Sequence, residues 1–190
     1  MQIRQLSVNY LPEQDRILLR VNTATSEEMR LWLTRRLMAG LWPLLNRLTN
    51  QQLLQREAAG SSLDPADDDL KKMLTDYRKD QLLREADFQT PYEDKPAAFP
   101  LGSEPLLVTD VDVTPQSDGG LRLHFHERRQ AQEQRNFRIQ MEPRLVQGLM
   151  HLVEQSLQRA QWAEPFGTSL GEDDASLGDA PASGKPRYLN

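Results

Sequence analysis

Residues 35–48 read RRLMAGLWPLLNRL, and residues 143–157 read PRLVQGLMHLVEQSL. Shifted by 108 positions, Arg36, Leu37, Gly40, Leu41 and Leu44 fall on the identical residues Arg144, Leu145, Gly148, Leu149 and Leu152. In the first stretch Leu37, Gly40, Leu41, Leu44, Leu45 and Leu48 follow the i, i+3, i+4, i+7 spacing of an amphipathic helix. Thr34 stands where an N-cap belongs, and Pro143 takes the first helical position, where a missing N–H would be unbonded in any case. A glycine inside a helix costs about 1 kcal/mol relative to alanine. Its placement at the same point in both stretches predicts a close backbone approach, helix to sheet or helix to helix. Pro43 removes an amide donor and predicts a kink that the second stretch, with His151 in its place, does not need.

Upstream of each helix the period changes from 3.6 to 2. Leu6, Val8 and Tyr10 alternate with Ser7 and Asn9. Ile17, Leu19 and Val21 alternate with Leu18, Arg20 and Asn22, and Met29, Leu31 and Leu33 with Arg30 and Trp32. This is the signature of half-buried antiparallel strands. The second half repeats the order: Val111 and Val113, then Leu121, Leu123 and Phe125, then Phe137, Ile139 and Met141. Second strands match at an offset of 104 and third strands at 108, so four extra residues fall in the connection HERRQAQEQR. An insertion confined to a hairpin is what an internal duplication leaves. One three-stranded unit with one helix buries a small core, and two can pool their apolar faces.

The expected fold is therefore α+β: two pseudo-symmetric βββα repeats, each antiparallel sheet covered by a helix, with a helical insertion between them and a disordered C-terminal tail. The boundaries are 1–57 for the first repeat, 58–104 for an acidic helical insertion and Pro-rich connector, 105–162 for the second repeat, and 163–190 for the tail. In the insertion, Asp64-Pro65 reads as a helix start with acids in its first turn, followed by a partial apolar stripe of Leu70, Met73, Leu74, Tyr77 and Leu82-Leu83. The tail is rich in Gly, Ala, Ser and Asp, with few large apolar residues, and ends KPRYLN.

Charge is unevenly spread. The first repeat has eight Arg against five acids, the insertion six basic residues against eleven acids, the second repeat seven against seven, and the tail two against five. All basic residues of the two repeats are Arg, as GC-rich coding or a demand for planar guanidinium contacts would produce. With no cysteine, disulfides, thiolate metal sites and a cysteine nucleophile are excluded. Apolar runs such as LMAGLWPLL are too short to span a bilayer, and MQIRQLSVNY reads as a strand without a signal core. The expected location is cytoplasmic, with no membrane partner and no small-molecule substrate.

No GxSxG elbow, Walker sequence or GxGxxG occurs, so no catalytic residue and no cofactor is assigned. His124-x-His126 places two imidazoles on one strand face, with Glu127 or Asp110 as conceivable oxygen ligands. With three His and no Cys in the chain, this reads as a polar strand face and no metal is assigned. Asp67-Asp68-Asp69 lacks the glycine and spaced ligands of a calcium loop and reads as helix-start electrostatics. The outward strand positions are more informative. Arg20, Arg30 and Trp32 project from the first sheet, and Arg122, His124 and Arg138 from the second. Arginine beside an exposed tryptophan is the pairing that stacks bases and neutralises phosphates. In element order two such units resemble the Pur-alpha and Whirly single-strand-binding folds, whose repeats have four strands and one helix. The resemblance implies single-stranded nucleic-acid binding and carries no residues across. The leading expectation is a non-catalytic protein-interaction or adaptor protein that self-associates as a homodimer. The alternative is a single-stranded nucleic-acid binder using the Arg/Trp sheet face.

Overall fold

A computed structural model describes residues 2–60, 68–88, 90–93, 96–128 and 134–162. The chain is mixed α+β, with a four-stranded sheet, a three-stranded sheet and three helices among the described residues. The disordered tail expected over 163–190, the Asp64-Pro65 helix start and the tip of the 128–134 connection lie outside the described residues.

Strands β1 (Ile3–Leu11), β2 (Arg16–Thr23) and β3 (Glu28–Thr34) form an antiparallel meander, as their alternation predicts. Ile17, Leu19, Val21, Met29, Leu31 and Leu33 are buried on one face. Helix α1 (Arg35–Gly60) follows at once, its start capped by Thr34, whose Oγ1 accepts from the Leu37 amide at 3.2 Å. It runs through Pro43 as a single helix. Helix α2 (Asp68–Arg84) is the insertion; strand β4 (Leu106–Leu107) then leads into β5 (Asp110–Pro115), β6 (Leu121–Glu127) and β7 (Arg135–Met141), a second antiparallel meander, and helix α3 (Pro143–Arg159) closes the fold.

The two meanders share a register. Leu6 pairs with Val21 and Val8 with Leu19; Val111 pairs with Phe125 and Val113 with Leu123, the first strands matching at an offset of 105 and the second at 104, so the second hairpin is one residue shorter. Leu19 faces Leu31 as Leu123 faces Ile139. Matching registers follow from period 2: a slip by one residue would turn every apolar side chain to the other face.

Two features depart from the expected arrangement. The short run PLLV (105–108) has no period to read, but Leu106 and Leu107 pair in parallel with Leu31 and Trp32, so one continuous segment joins the first sheet and then enters the second. Each helix also does more than cover its own sheet. α1 packs on β3 and on β5, the first strand of the other half; α3 packs on β7 and on β1. The exchange extends to the hairpins. The Gln52 amide donates to Gln116 and Gly120 carbonyls and Arg56 to the Asp118 carbonyl, while Trp162 Nε1 donates to Asp15 and Ser156 Oγ to the Val8 carbonyl. One apolar core results, built from both sheets, α1 and α3. No described side chain of α2 belongs to it; Met73 and Tyr77, one turn apart, are 63% exposed.

Candidate interaction surfaces

Arg20, Arg30 and Trp32 do project from the solvent side of the first sheet, yet all three are only half-exposed. The Pro-rich connector lies across that side. The Tyr92 ring sits 4.2 Å from the Arg20 guanidinium carbon, and the Phe99 ring 4.3 Å from that of Arg30. Buried Glu28 pairs with Arg30 and accepts from the Tyr92 hydroxyl at 2.8 Å. Backbone bonds from Ala97 to Ser26 and from Glu28 to Ala98 tie the connector down, and Arg4 and Glu93 form a two-pronged pair at the edge. The guanidinium faces that would have stacked bases are therefore occupied by the chain's own aromatics. A second anchor holds the connector's far end. Buried Glu127 pairs with Arg135 and accepts from the Leu107 amide, while Arg135 also donates to the Leu101, Glu104 and Pro105 carbonyls. Such a pair holds its geometry because each guanidinium nitrogen donates to an oxygen. Neither anchor was anticipated from the sequence; two aromatics spaced among prolines were the available signal.

No described segment covers the outer face of the second sheet. Arg122 and Arg138 are exposed, and His124 lies between them in register with Arg138. Acids line the neighbouring strand: Asp112 faces His124 and Asp110 faces His126. Partial burial pushes the Asp110 carboxyl up, but hydrogen bonds from Thr109 and Arg128, with the Arg128 and His126 charges, more than offset this and hold it below its ordinary value. The six singled-out residues thus divide between a covered face and an open one, and no single Arg/Trp face brings them together.

The most informative surfaces are two grooves, each between a helix and the first strand of the opposite half. One is lined by Arg36, Leu37, Gly40 and Leu44 of α1 with Thr109, Asp110 and Val111. The other is lined by Arg144, Leu145, Gly148 and Leu152 of α3 with Arg4, Gln5 and Leu6. These are the same positions of the two halves, residue for residue. Their occupancy differs. In the α3 groove the segment after α2 lies against the wall, and the Phe88 ring is 5.2 Å from His151 and 4.0 Å from where a Gly148 side chain would begin. In the α1 groove, a cavity of about 630 Å³, nothing among the described residues stands within 4 Å of the corresponding point on Gly40. The close backbone approach expected of these glycines is absent at both. Each glycine is instead groove floor, and at Gly148 the missing side chain leaves room for an aromatic ring.

No family model matches this sequence, no curated protein is significantly similar to it, and no solved structure matches its fold, so the function is argued from these surfaces alone.

Proposed function

We propose that this is a non-catalytic interaction protein, built from two pseudo-symmetric βββα units (1–57 and 105–162), that takes a short acidic segment bearing an aromatic residue into its α1 groove. The matched registers, the exchanged helices and the equivalent groove linings support the repeat. One observation carries the binding reading: the chain lays its own Phe88 against the α3 groove, where about 420 Å³ of space remains, whereas no described residue approaches Gly40 in the equivalent α1 groove of about 630 Å³. The occupant's chemistry follows from the α3 copy, where Glu85, Asp87 and Phe88 line one groove together with Arg144 and Arg4, and Arg4 pairs with the acid Glu93. In the open copy Arg36 stands in place of Arg144, Leu37, Leu44 and Val111 supply apolar walls, and a ring over Gly40 would displace water from them.

The probe is the chain's own segment, a labelled peptide EADFQTP, titrated into the full-length protein by fluorescence anisotropy. Binding that disappears with a Phe→Ala peptide and with Gly40→Trp protein supports the reading. Equal binding to wild-type and Gly40→Trp protein places the peptide elsewhere and contradicts it. Sedimentation equilibrium of the same two proteins tests whether the occupant is a second copy: Gly40→Trp shifts a dimer to monomer only in that case.

The single-stranded nucleic-acid reading keeps one favourable observation, the exposed Arg122 and Arg138 on the second sheet. Arg122→Ala with Arg138→Ala would then weaken binding of labelled single-stranded DNA and reduce its salt dependence. No binding at low salt removes it.

A further inference from the structure

Strand alternation puts His124 and His126 on the same side of β6, their ring centroids 3.9 Å apart. The β5–β6 register sets Asp112 directly across from His124. Asp112 Oδ2 is 2.9 Å from His126 Nε2 and 3.8 Å from His124 Nδ1, and one ligand atom from each of the three residues lies within 4.8 Å of the others. We propose that Asp112, His124 and His126 form a binding site for a first-row divalent cation, zinc being the ion it suits best.

Zinc bonds imidazole nitrogen and carboxylate oxygen at about 2.0–2.2 Å in a tetrahedral shell, which separates neighbouring donors by about 3.4 Å. The separations here fall on either side of that distance, so small side-chain rotations suffice and no strand has to move. Two imidazoles with one carboxylate are the donor set of borderline-soft divalent ions, whereas calcium and magnesium want oxygen. The fourth position opens to water on the outer side, where the Asp112 side chain is 71% exposed.

A neighbour on β7 prepares the site. His124 Nε2 lies 3.2 Å from Asn136 Oδ1. An amide oxygen only accepts, so the ring proton sits on Nε2 and the Nδ1 lone pair is directed toward Asp112 and His126. His126 Nε2 hydrogen-bonds the Asp112 carboxylate in the ion-free state. The cation replaces that bond; the ring proton moves to Nδ1, the imidazole stays neutral and no other reagent is consumed. Asp110, across from His126, already pairs with Arg128 and is not a ligand. Arg138, across from His124, is the one nearby cation on β7 that opposes the ion. The sequence pattern alone named Glu127 or Asp110 as the oxygen donor; the register selects Asp112 instead, because Glu127 turns inward to Arg135.

The site does not depend on what fills the α1 groove, and zinc alone tests it. Full-length protein is titrated with zinc by calorimetry and in competition with a chromophoric chelator. One equivalent per chain is expected. His124→Ala and His126→Ala should each weaken uptake by at least about 100-fold, and Asn136→Ala by about 10- to 100-fold through loss of ring orientation. Asp112→Asn, similar in shape and exposed, reads the carboxylate's contribution without a packing change. His151→Ala, on α3, should leave uptake unchanged. No uptake by the wild type at micromolar zinc, or uptake unchanged in the His124→Ala/His126→Ala double variant, would overturn the assignment.

Discussion

The two grooves have the same walls and different fates. Arg36, Leu37, Gly40 and Leu44 match Arg144, Leu145, Gly148 and Leu152 in identity as well as position, yet only the second set is covered. The difference arises from connectivity. The segment after α2 passes the α3 groove on its way to the first sheet, and Phe88 drops onto Gly148 before Tyr92 and Phe99 reach Arg20 and Arg30. No described segment passes the α1 groove. Identical local sequence can thus produce a packed contact in one half and an accessible site in the other, because accessibility is decided by what the rest of the chain brings near.

The sharpest way to break this comparison is to make the same substitution in both grooves. Gly148→Trp must displace the partly exposed Phe88 ring from the buried Gly148 and should cost about 1–2 kcal/mol, whereas Gly40→Trp enters open space and should change stability by less than about 0.5 kcal/mol. Chemical denaturation of the two variants measures both; equal costs would mean that the grooves are equally filled. Phe88→Ala comes next. The ring is 43% exposed, so its loss should cost about 1–2 kcal/mol, and it should create a second peptide site of the α1 kind, seen as a change in stoichiometry from one to two. Gly40→Ala is smaller and opposite in sign: with no contact to disturb, removing the glycine from a helix interior should stabilise by up to about 1 kcal/mol.

The smallest effect concerns the helix ends. The hydrogen bond to Asp15, followed by some burial and the Asp15 charge, raises the Tyr10 pKa above its ordinary 10.0. The folded state therefore holds this proton more tightly than the unfolded one. Its contribution is fully present below pH 10 and is lost as pH rises through the raised value. Trp162, edge-on to Tyr10 and bonded to Asp15, should loosen there, while the α1 contact through the neutral Gln52 amide should not. Trp162 fluorescence across that range checks it, and Tyr10→Phe should remove the transition.

Much of the fold was legible because its signals are local. Period 2 placed Val8, Leu19 and Leu31 inward, period 3.6 set α1 and α3, and Thr34 marked a helix start. What was not legible depends on residues far apart in the chain. Nothing near Arg20 reveals that Tyr92 will lie over it, and nothing near Glu127 announces Arg135 with three connector carbonyls around it. β4 escaped notice because two residues are too few for a period. The candidate site was half visible: the repeated glycine was recognised, but its role was assigned to backbone packing, since a sequence does not show whether a glycine faces a neighbour or a void.

The claim that the α1 groove is an open copy of a site the chain partly occupies with Phe88 is tested most directly by two-dimensional amide NMR of the labelled protein titrated with unlabelled EADFQTP peptide. The account predicts shifts that saturate at Leu37, Gly40, Leu44 and Val111, with Leu145 and Gly148 unmoved. Shifts centred on Gly148, or none at millimolar peptide, would contradict it.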